Sequence, residues 1–386
     1  MSLNHSPSIA LDGLVFYYDM SNTSRSFIGR PNTNLCSYVP MNWTDGNATI
    51  TRNVTPPIPP PIAGYEVCKI QSNNGADTQL DILYTTPLPS AGYYTHSAYI
   101  LLTAGTYARI GQHWYPWDAG VPQYIVPNVW TRISQSFYDT NEYGQIANAY
   151  GTDGTIYVTC VQYEAGQTMT PFMGGSGATR TTSQAILDLT RNNTITATSL
   201  TYASDGNFSF DGSYSYMQCP TSCGITGSVT LSAWIKPNRS GQTGPHSTIL
   251  CTDVGYPAGA KLMNYKNTSR YGLWLGWGGS TSYEAFVGVD INDNTDKMLT
   301  ASWEQASGVV KIYLNGVLQS TLSTGITSPV SLYDGKITVG TDYNNIGSGS
   351  YNKYLGNVYT ASIYNRALTD AEVMQNFNAH RGRYGI

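Results

Sequence analysis

The sequence predicts an all-β fold of two antiparallel β-sandwich (jelly-roll) domains with one short C-terminal helix. Three observations carry that prediction. Short runs of alternating apolar and polar residues recur almost throughout, the pattern of a sheet with one buried and one solvated face. Gly, Asn, Asp and Ser separate the runs, as turns require. At 386 residues the chain has room for two sandwiches, because one all-β unit often fills about 200 residues.

In chain order, Pro56, Pro57, Pro59, Pro60 and Pro61 make a stiff loop that cannot pair within a central strand. Residues 93–100, 130–137 and 155–161 alternate as strands around it, so a first sandwich fits this half. Residues 174–177, Gly-Gly-Ser-Gly, follow no phosphate-loop pattern and suit a linker. The clearest strands follow at 229–235, 271–275, 298–303, 309–314 and 336–339, where alternate bulky side chains give each strand one face for a shared core. Trp43, Trp130, Trp234 and Trp303 lie in strand patterns and are expected in cores. Asn315-Gly316 is a hairpin signal, since both residues accept the positive φ of a type I′ turn. Near the end, Thr369-Asp370-Ala371-Glu372 forms a capping box. Val373 and Phe377 are spaced to face a sandwich, and Gly382 is placed to stop the helix.

Composition narrows the function. Charged residues are 11%, against roughly 25% in a typical soluble domain, so the surface is polar but uncharged. A net charge of -4 leaves no basic face, and nucleic acid is not expected as a partner. No apolar stretch reaches the roughly 18 residues of a membrane span, so no membrane insertion is expected. The first twenty residues lack a cationic start, and their apolar run is broken by Asp12 and Asp19, so no secretion leader is expected. The six cysteines are scattered and suit free thiols in a reducing cytoplasm, a Cys219 to Cys223 disulfide being the alternative.

Residues 208–216 (Phe-Ser-Phe-Asp-Gly-Ser-Tyr-Ser-Tyr), 232–235 (Ser-Ala-Trp-Ile), 313–316 (Tyr-Leu-Asn-Gly) and 356–372 (Gly-Asn-Val-Tyr-Thr-Ala-Ser-Ile-Tyr-Asn-Arg-Ala-Leu-Thr-Asp-Ala-Glu) resemble, in that order, the laminin-G-like, concanavalin A-like jelly rolls. The ending at 376–386 is similar to the tail of such domains in structural proteins of tailed bacteriophages. In that group the sandwich opens with a Gly-Leu-Val strand ending in Asp, and Gly13 to Asp19 has that form. Thr33-Asn34-Leu35 with Trp43, Trp130-Thr-Arg132, residues 156–166 and Ala178-Thr-Arg180 resemble carbohydrate-binding-module-like jelly rolls of phage fibre proteins. The usual Gln-Leu-Glu is changed by Tyr163, which keeps a bulky side chain. The resemblance therefore implies a discontinuous outer sandwich, 1–30 plus 184–386, with 31–183 as an inserted module.

Catalysis finds no support in the residues. A glycosidase needs two carboxylates about 5 to 9.5 Å apart, and the glucanases of this superfamily carry them on a Glu-x-Asp-x-x-Glu strand that is missing. Glu66, Glu142, Glu164, Glu284, Glu304 and Glu372 are isolated, the five His have no paired spacing, and no nucleophile elbow occurs. Asp290-x-x-Asp293-x-x-Asp296 lies in an Asn-rich turn without EF-hand spacing. No cofactor is required. The resemblance implies a structural calcium near Asp19 and Asp211, the competing reading being that each carboxylate caps turn amides. Sugars stack their CH faces on aromatic rings while polar groups bond their hydroxyls. Two loops have that makeup, one with Trp114, Tyr115 and Trp117, the other running from Asp342 through Tyr351 to Tyr354. Packing against a neighbouring subunit would use the same rings. The expectation is a non-enzymatic structural, decoration or fibre-type component on a tailed-phage virion surface, made in the host cytoplasm. It would form a homo-oligomer, meet other virion proteins and bind cell-surface glycans. The alternatives are a polysaccharide-degrading enzyme and a free glycan-binding lectin.

Overall fold

The alternating run Val309–Leu314 turns through Asn315 and Gly316, at φ 49° and 78°, into Val317–Ser323, the tight hairpin its two turn residues allow. The structure, a computed structural model, describes residues 8–22, 25–40, 48–72, 79–84, 90–103, 107–112, 123–139, 143–148, 155–202, 208–222, 224–225, 227–238, 246–255, 258–265, 270–277, 282–291, 293–327, 336–342, 345–346 and 352–386. The chain is mostly β, built from several antiparallel sheets, and forms two compact units: residues 1–29 with 182–386, and residues 30–181. Among the described residues no helix is long and apolar enough to cross a membrane.

The larger unit has an eight-stranded and a seven-stranded sheet. Phe16, Tyr18, Leu231, Trp303 and Ile312 of the first share one core with Leu250, Leu262, Leu273 and Ile337 of the second. Alternation makes this possible, because every second side chain of each strand points inward. Leu355–Tyr364 is central to the first sheet. One edge pairs with Val229–Pro237; the other pairs with Phe208–Asp211 along 355–357 and with Leu14–Asp19 along 360–364. The outer edge of Leu14–Asp19 is covered by a turn that Asp188 organises. Asp188, 3% exposed, accepts from the amides of Tyr17, Thr190 and Asn193, while Thr190 Oγ1 and Asn193 Nδ2 donate to Val15 O. An edge closed in this way has no free backbone to offer another chain.

The helix Asp370–His380 begins at Thr369 with the expected capping box. It lies over the outer face of the eight-stranded sheet, where a second apolar cluster forms around Trp234. That indole stacks on Phe377 at 5.6 Å and on Tyr384 at 4.4 Å, so Trp234 is core as expected, but beneath the helix rather than between the sheets. Arg366 makes a two-pronged ion pair with Glu372 of the box.

In the smaller unit two five-stranded sheets enclose Ile70, Ile100, Ile110, Ile133 and Ile156. Tyr163, the departure from the usual Leu, is fully buried and stacks on Tyr94 at 5.2 Å. Trp130 does not enter this core. It precedes the strand Thr131–Asp139, stays half-buried, and its indole N–H donates to Ile58 O of the proline loop at 3.0 Å. Trp43 and Cys223 lie outside the described residues, and Cys68 and Cys160 carry free thiols.

Asp19 ties the two ends of the larger unit together. It is 2% exposed, is paired with Arg383 at 2.5 Å and accepts from Tyr17 OH at 3.2 Å, and that hydroxyl meets His380 Nε2 at 2.9 Å. Burial pushes His380 down to about 4, against the opposing pull of Asp19. A histidine depressed in the fold stabilises fully above its unfolded value, and the contribution is lost as pH falls from about 6.5 towards 4. Glu372, held at about 2 first by its Arg366 hydrogen bonds, loses its contribution only below about 4.5. Between pH 7 and 5 denaturant unfolding should therefore show a loss of about 2 kcal/mol through His380, a part that His380→Asn removes, leaving the contribution of His246, which burial also lowers. A slope unchanged in that variant would contradict this.

Candidate functional site

Of the rings chosen from sequence, Trp114, Tyr115, Trp117 and Tyr351 lie outside the described residues. Tyr354 corrects the expectation. It is 1% exposed, edge-on to Phe210 at 6.1 Å, and its hydroxyl donates to Asn357 O, so its ring fills the core and has no face for a sugar. The neighbours of Tyr354 on the same loop converge instead, through their polar groups.

The cluster is built outward from Asp342, just beyond the strand Lys336–Val339. Thr338 Oγ1 donates to Thr341 O at 2.6 Å, a tight turn that delivers Asp342 with 1% exposure. Its carboxylate accepts from Lys261 Nζ at 3.3 Å, Asn345 Nδ2 at 2.5 Å and Asn352 Nδ2 at 2.7 Å. Lys261 belongs to Ala258–Tyr265 and alternates with the core residues Ala260 and Leu262, so it stands on the opposite face of the sheet. There its ammonium lies 4.5 Å from the ring centroid of Trp274, its cross-strand partner. Lys353 comes in from the other side. It is 1% exposed, its Nζ has no hydrogen-bond partner among the described residues, and it sits 5.3 Å from the ring centroid of Tyr216.

Charge explains the arrangement. Burial lowers the Lys353 pKa, and Asp342 and Asp211 oppose that shift. Burial pushes Asp211 up, but hydrogen bonds from the amides of Ser215, Ser213 and Tyr214 and from Ser215 Oγ outweigh it and hold the carboxyl low. Asp211 thus caps a turn, whose Tyr214 is 57% exposed. Asn345, Asn352 and Tyr216 are half-buried, and Asn352 Oδ1 also lacks a partner. An unpaired buried carbonyl costs about 1–3 kcal/mol, and a charged ammonium more. A hydroxyl, donor and acceptor at once, satisfies both.

The residues suit a cation less well. At Asp19 and Asp342, Arg383 and Lys261 supply the positive charge that a calcium ion would bring. Among the described residues no three His, Cys, Asp or Glu side chains form a metal-holding group. Of the other acidic turn, Asp293 is paired with Lys297 and Asp296 accepts from Tyr359 OH at 2.9 Å.

The sequence marks the 342–354 loop and Asp211 but does not single out Lys261 and Trp274. The available signal was a lysine and a tryptophan on the non-core positions of neighbouring apolar strands. Asp342→Ala leaves the buried Lys261 ammonium without its carboxylate and removes a charge that opposes the burial of Lys353. Thermal or urea unfolding should show a loss of about 3–5 kcal/mol.

Residues 211–374 match the laminin-G-type family model of the concanavalin A-like lectin/glucanases superfamily. No curated protein matches the chain significantly. Among solved structures, the chain is similar to domain 4 of AbnA, a GH43 extracellular arabinanase from Geobacillus stearothermophilus, in complex with arabinotriose (20% identity, TM-score 0.40, 51% of this chain and 92% of that one). It is also similar to the botulinum neurotoxin serotype G binding domain (15%, 0.39, 50% and 48%) and to the Ruminococcus gnavus IT-sialidase CBM40 (15%, 0.33, 39% and 82%). The chain spans about half the length of the neurotoxin domain, 48%.

Proposed function

We propose that this chain is a non-enzymatic glycan-binding protein, a decoration or fibre-type component on the surface of a tailed-phage particle. In this reading the concanavalin A-like sandwich is a scaffold with a sugar site of its own, and residues 31–183 are an inserted carbohydrate-binding module. The observation that carries the sugar site is the unsatisfied Lys353 Nζ beside the Tyr216 ring, with the unsatisfied Oδ1 of its chain neighbour Asn352, whose Nδ2 donates to Asp342. Ring faces flanked by hydroxyl-seeking donors and acceptors are what a saccharide requires. The superfamily of the matching family model supports the same ligand class. The surface role rests on the likeness of residues 376–386 and of the smaller unit's landmarks to phage structural proteins.

The described glutamates favour binding over hydrolysis. Glu66 is paired with Arg52 and Glu372 with Arg366, Glu284 accepts from Tyr265 and Glu304 from Ser307, and Glu164 is fully buried among neutral donors. Each is engaged by a structural partner rather than facing a second carboxylate across a groove.

A glycan array probed with the wild type, Lys353→Met and Trp114→Ala tests the sugar site. Lys353→Met should lose at least about tenfold in binding while its stability stays equal or rises, because an uncompensated buried charge has been removed. Wild-type binding by Lys353→Met would reject the site, and unchanged binding by Trp114→Ala would reject a role for that loop. For the particle, electron microscopy of purified virions with antibody against the chain should label their surface; absence of the chain from virions refutes the surface role.

A further inference from the structure

Among its described residues the smaller unit holds buried guanidinium N–H groups without acceptors. The strand Thr155–Ala165 places Gln162 and Glu164 on the face opposite the core residues Val161 and Tyr163. Glu164 is fully buried, and four neutral donors satisfy its oxygens: Gln162 Nε2 at 2.7 Å, Thr170 N at 2.8 Å, Thr170 Oγ1 at 2.7 Å and Asn32 Nδ2 at 3.3 Å. The charge of this one carboxylate acts on three guanidinium groups, Arg30, Arg132 and Arg180. Arg180, 6% exposed, is satisfied by Thr170 Oγ1, Pro171 O and Arg30 O, and it locks the chain's return to the sheet.

Among the described residues, Arg30 and Arg132 are not fully satisfied. Arg132 gives one N–H to Ser97 Oγ at 3.0 Å and lies over the Tyr99 ring at 5.6 Å, but its Nε is buried without an acceptor. Arg30 has both Nε and Nη2 buried without one. Its guanidinium rests so close on Gly166, at φ 107°, that any Cβ there would fall 1.6 Å from Nη2. Burial lowers all three arginines, with Glu164 the shared opposing charge, and Arg132 further depresses Arg180. Net positive charge behind a low-dielectric wall, with orphan N–H groups in planar forks, attracts a planar oxyanion.

We infer that the face of the smaller unit carrying Arg132, Arg30, Ser97 and Tyr99 binds the carboxylate of an acidic sugar, a uronate-type residue of a polysaccharide. The guanidinium forks take the carboxylate oxygens, the fully buried Ser97 holds Arg132 in place through its hydroxyl, and the half-buried Tyr99 ring offers an apolar face to the pyranose. The anion preference stands on the arginines; the sugar rests on the glycan-binding reading above.

The test is calorimetric titration of the full chain with three uronate probes: hexagalacturonate, a hyaluronan hexasaccharide and an alginate hexamer. Their carboxyl-reduced, neutral counterparts and inorganic sulfate serve as comparisons. The wild type should bind at least one uronate at least about tenfold more tightly than its neutral counterpart, more weakly as NaCl rises. Arg132→Gln should lose at least about tenfold in that affinity, and Arg132→Lys, which keeps the charge but not the fork, should fall between. Binding to no uronate, equal affinity for acidic and neutral forms, wild-type affinity in Arg132→Gln, or sulfate as tight as the uronate would each overturn the inference. Should Arg132→Gln unfold, Arg132→Lys together with the wild-type acid-to-neutral ratio decides it. Loss of uronate binding alone, with Lys353-dependent array signals intact, would sink this site and leave the proposed function standing.

Discussion

The strand Leu355–Tyr364 is paired on both edges, along 355–357 and 360–364 on one of them, and the larger unit depends on how that edge is shared. Phe208–Asp211 occupies one part and Leu14–Asp19 the other, although about 190 residues of chain separate them. A ladder half as long would leave buried N–H and C=O groups of the central strand without partners, which the interior does not tolerate. Asp188 then closes the far edge of Leu14–Asp19, and Asp19 pins its end to Arg383 beyond the helix. Tyr18 and Phe16 enter the core between the sheets from a strand held in this way at both ends.

Both units place charge on the sheet face turned away from the apolar core, and they handle it differently. Around Asp342 one ammonium is matched to one carboxylate through Lys261, and the second ammonium, Lys353, is left over. Around Glu164 neutral donors occupy the carboxylate oxygens, so one negative charge opposes three arginines, and Arg132 Nε and Arg30 Nε and Nη2 have no acceptor among the described residues. A protein selected for stability alone would fill such positions with apolar side chains of similar volume, often with gain. Retained, unmatched charge is a feature of sites whose missing partner comes from outside.

Much of this was legible in the residues, for identifiable reasons. Alternation marked the strands Val309–Leu314 and Lys336–Val339 to the residue, because a period of two has no competing reading when one face is buried. The capping box at Thr369 and the turn at Asn315-Gly316 were readable because their chemistry is local. Tyr354 misled, since an aromatic residue in a polar loop looks the same whether its ring points out or in. Trp130 misled too, being one position outside its strand.

By itself the sequence determined the class of fold, the strand faces and the helix, all of which follow from interactions between residues near one another in the chain. Only the tertiary structure decided which charges are left without partners. Lys261, Asp342 and Lys353, like Arg30, Arg132 and Glu164, come from separate strands and loops. Whether a buried ammonium or guanidinium is matched depends on desolvation and on every neighbour within a few ångströms, and those neighbours are set by packing rather than by spacing along the chain.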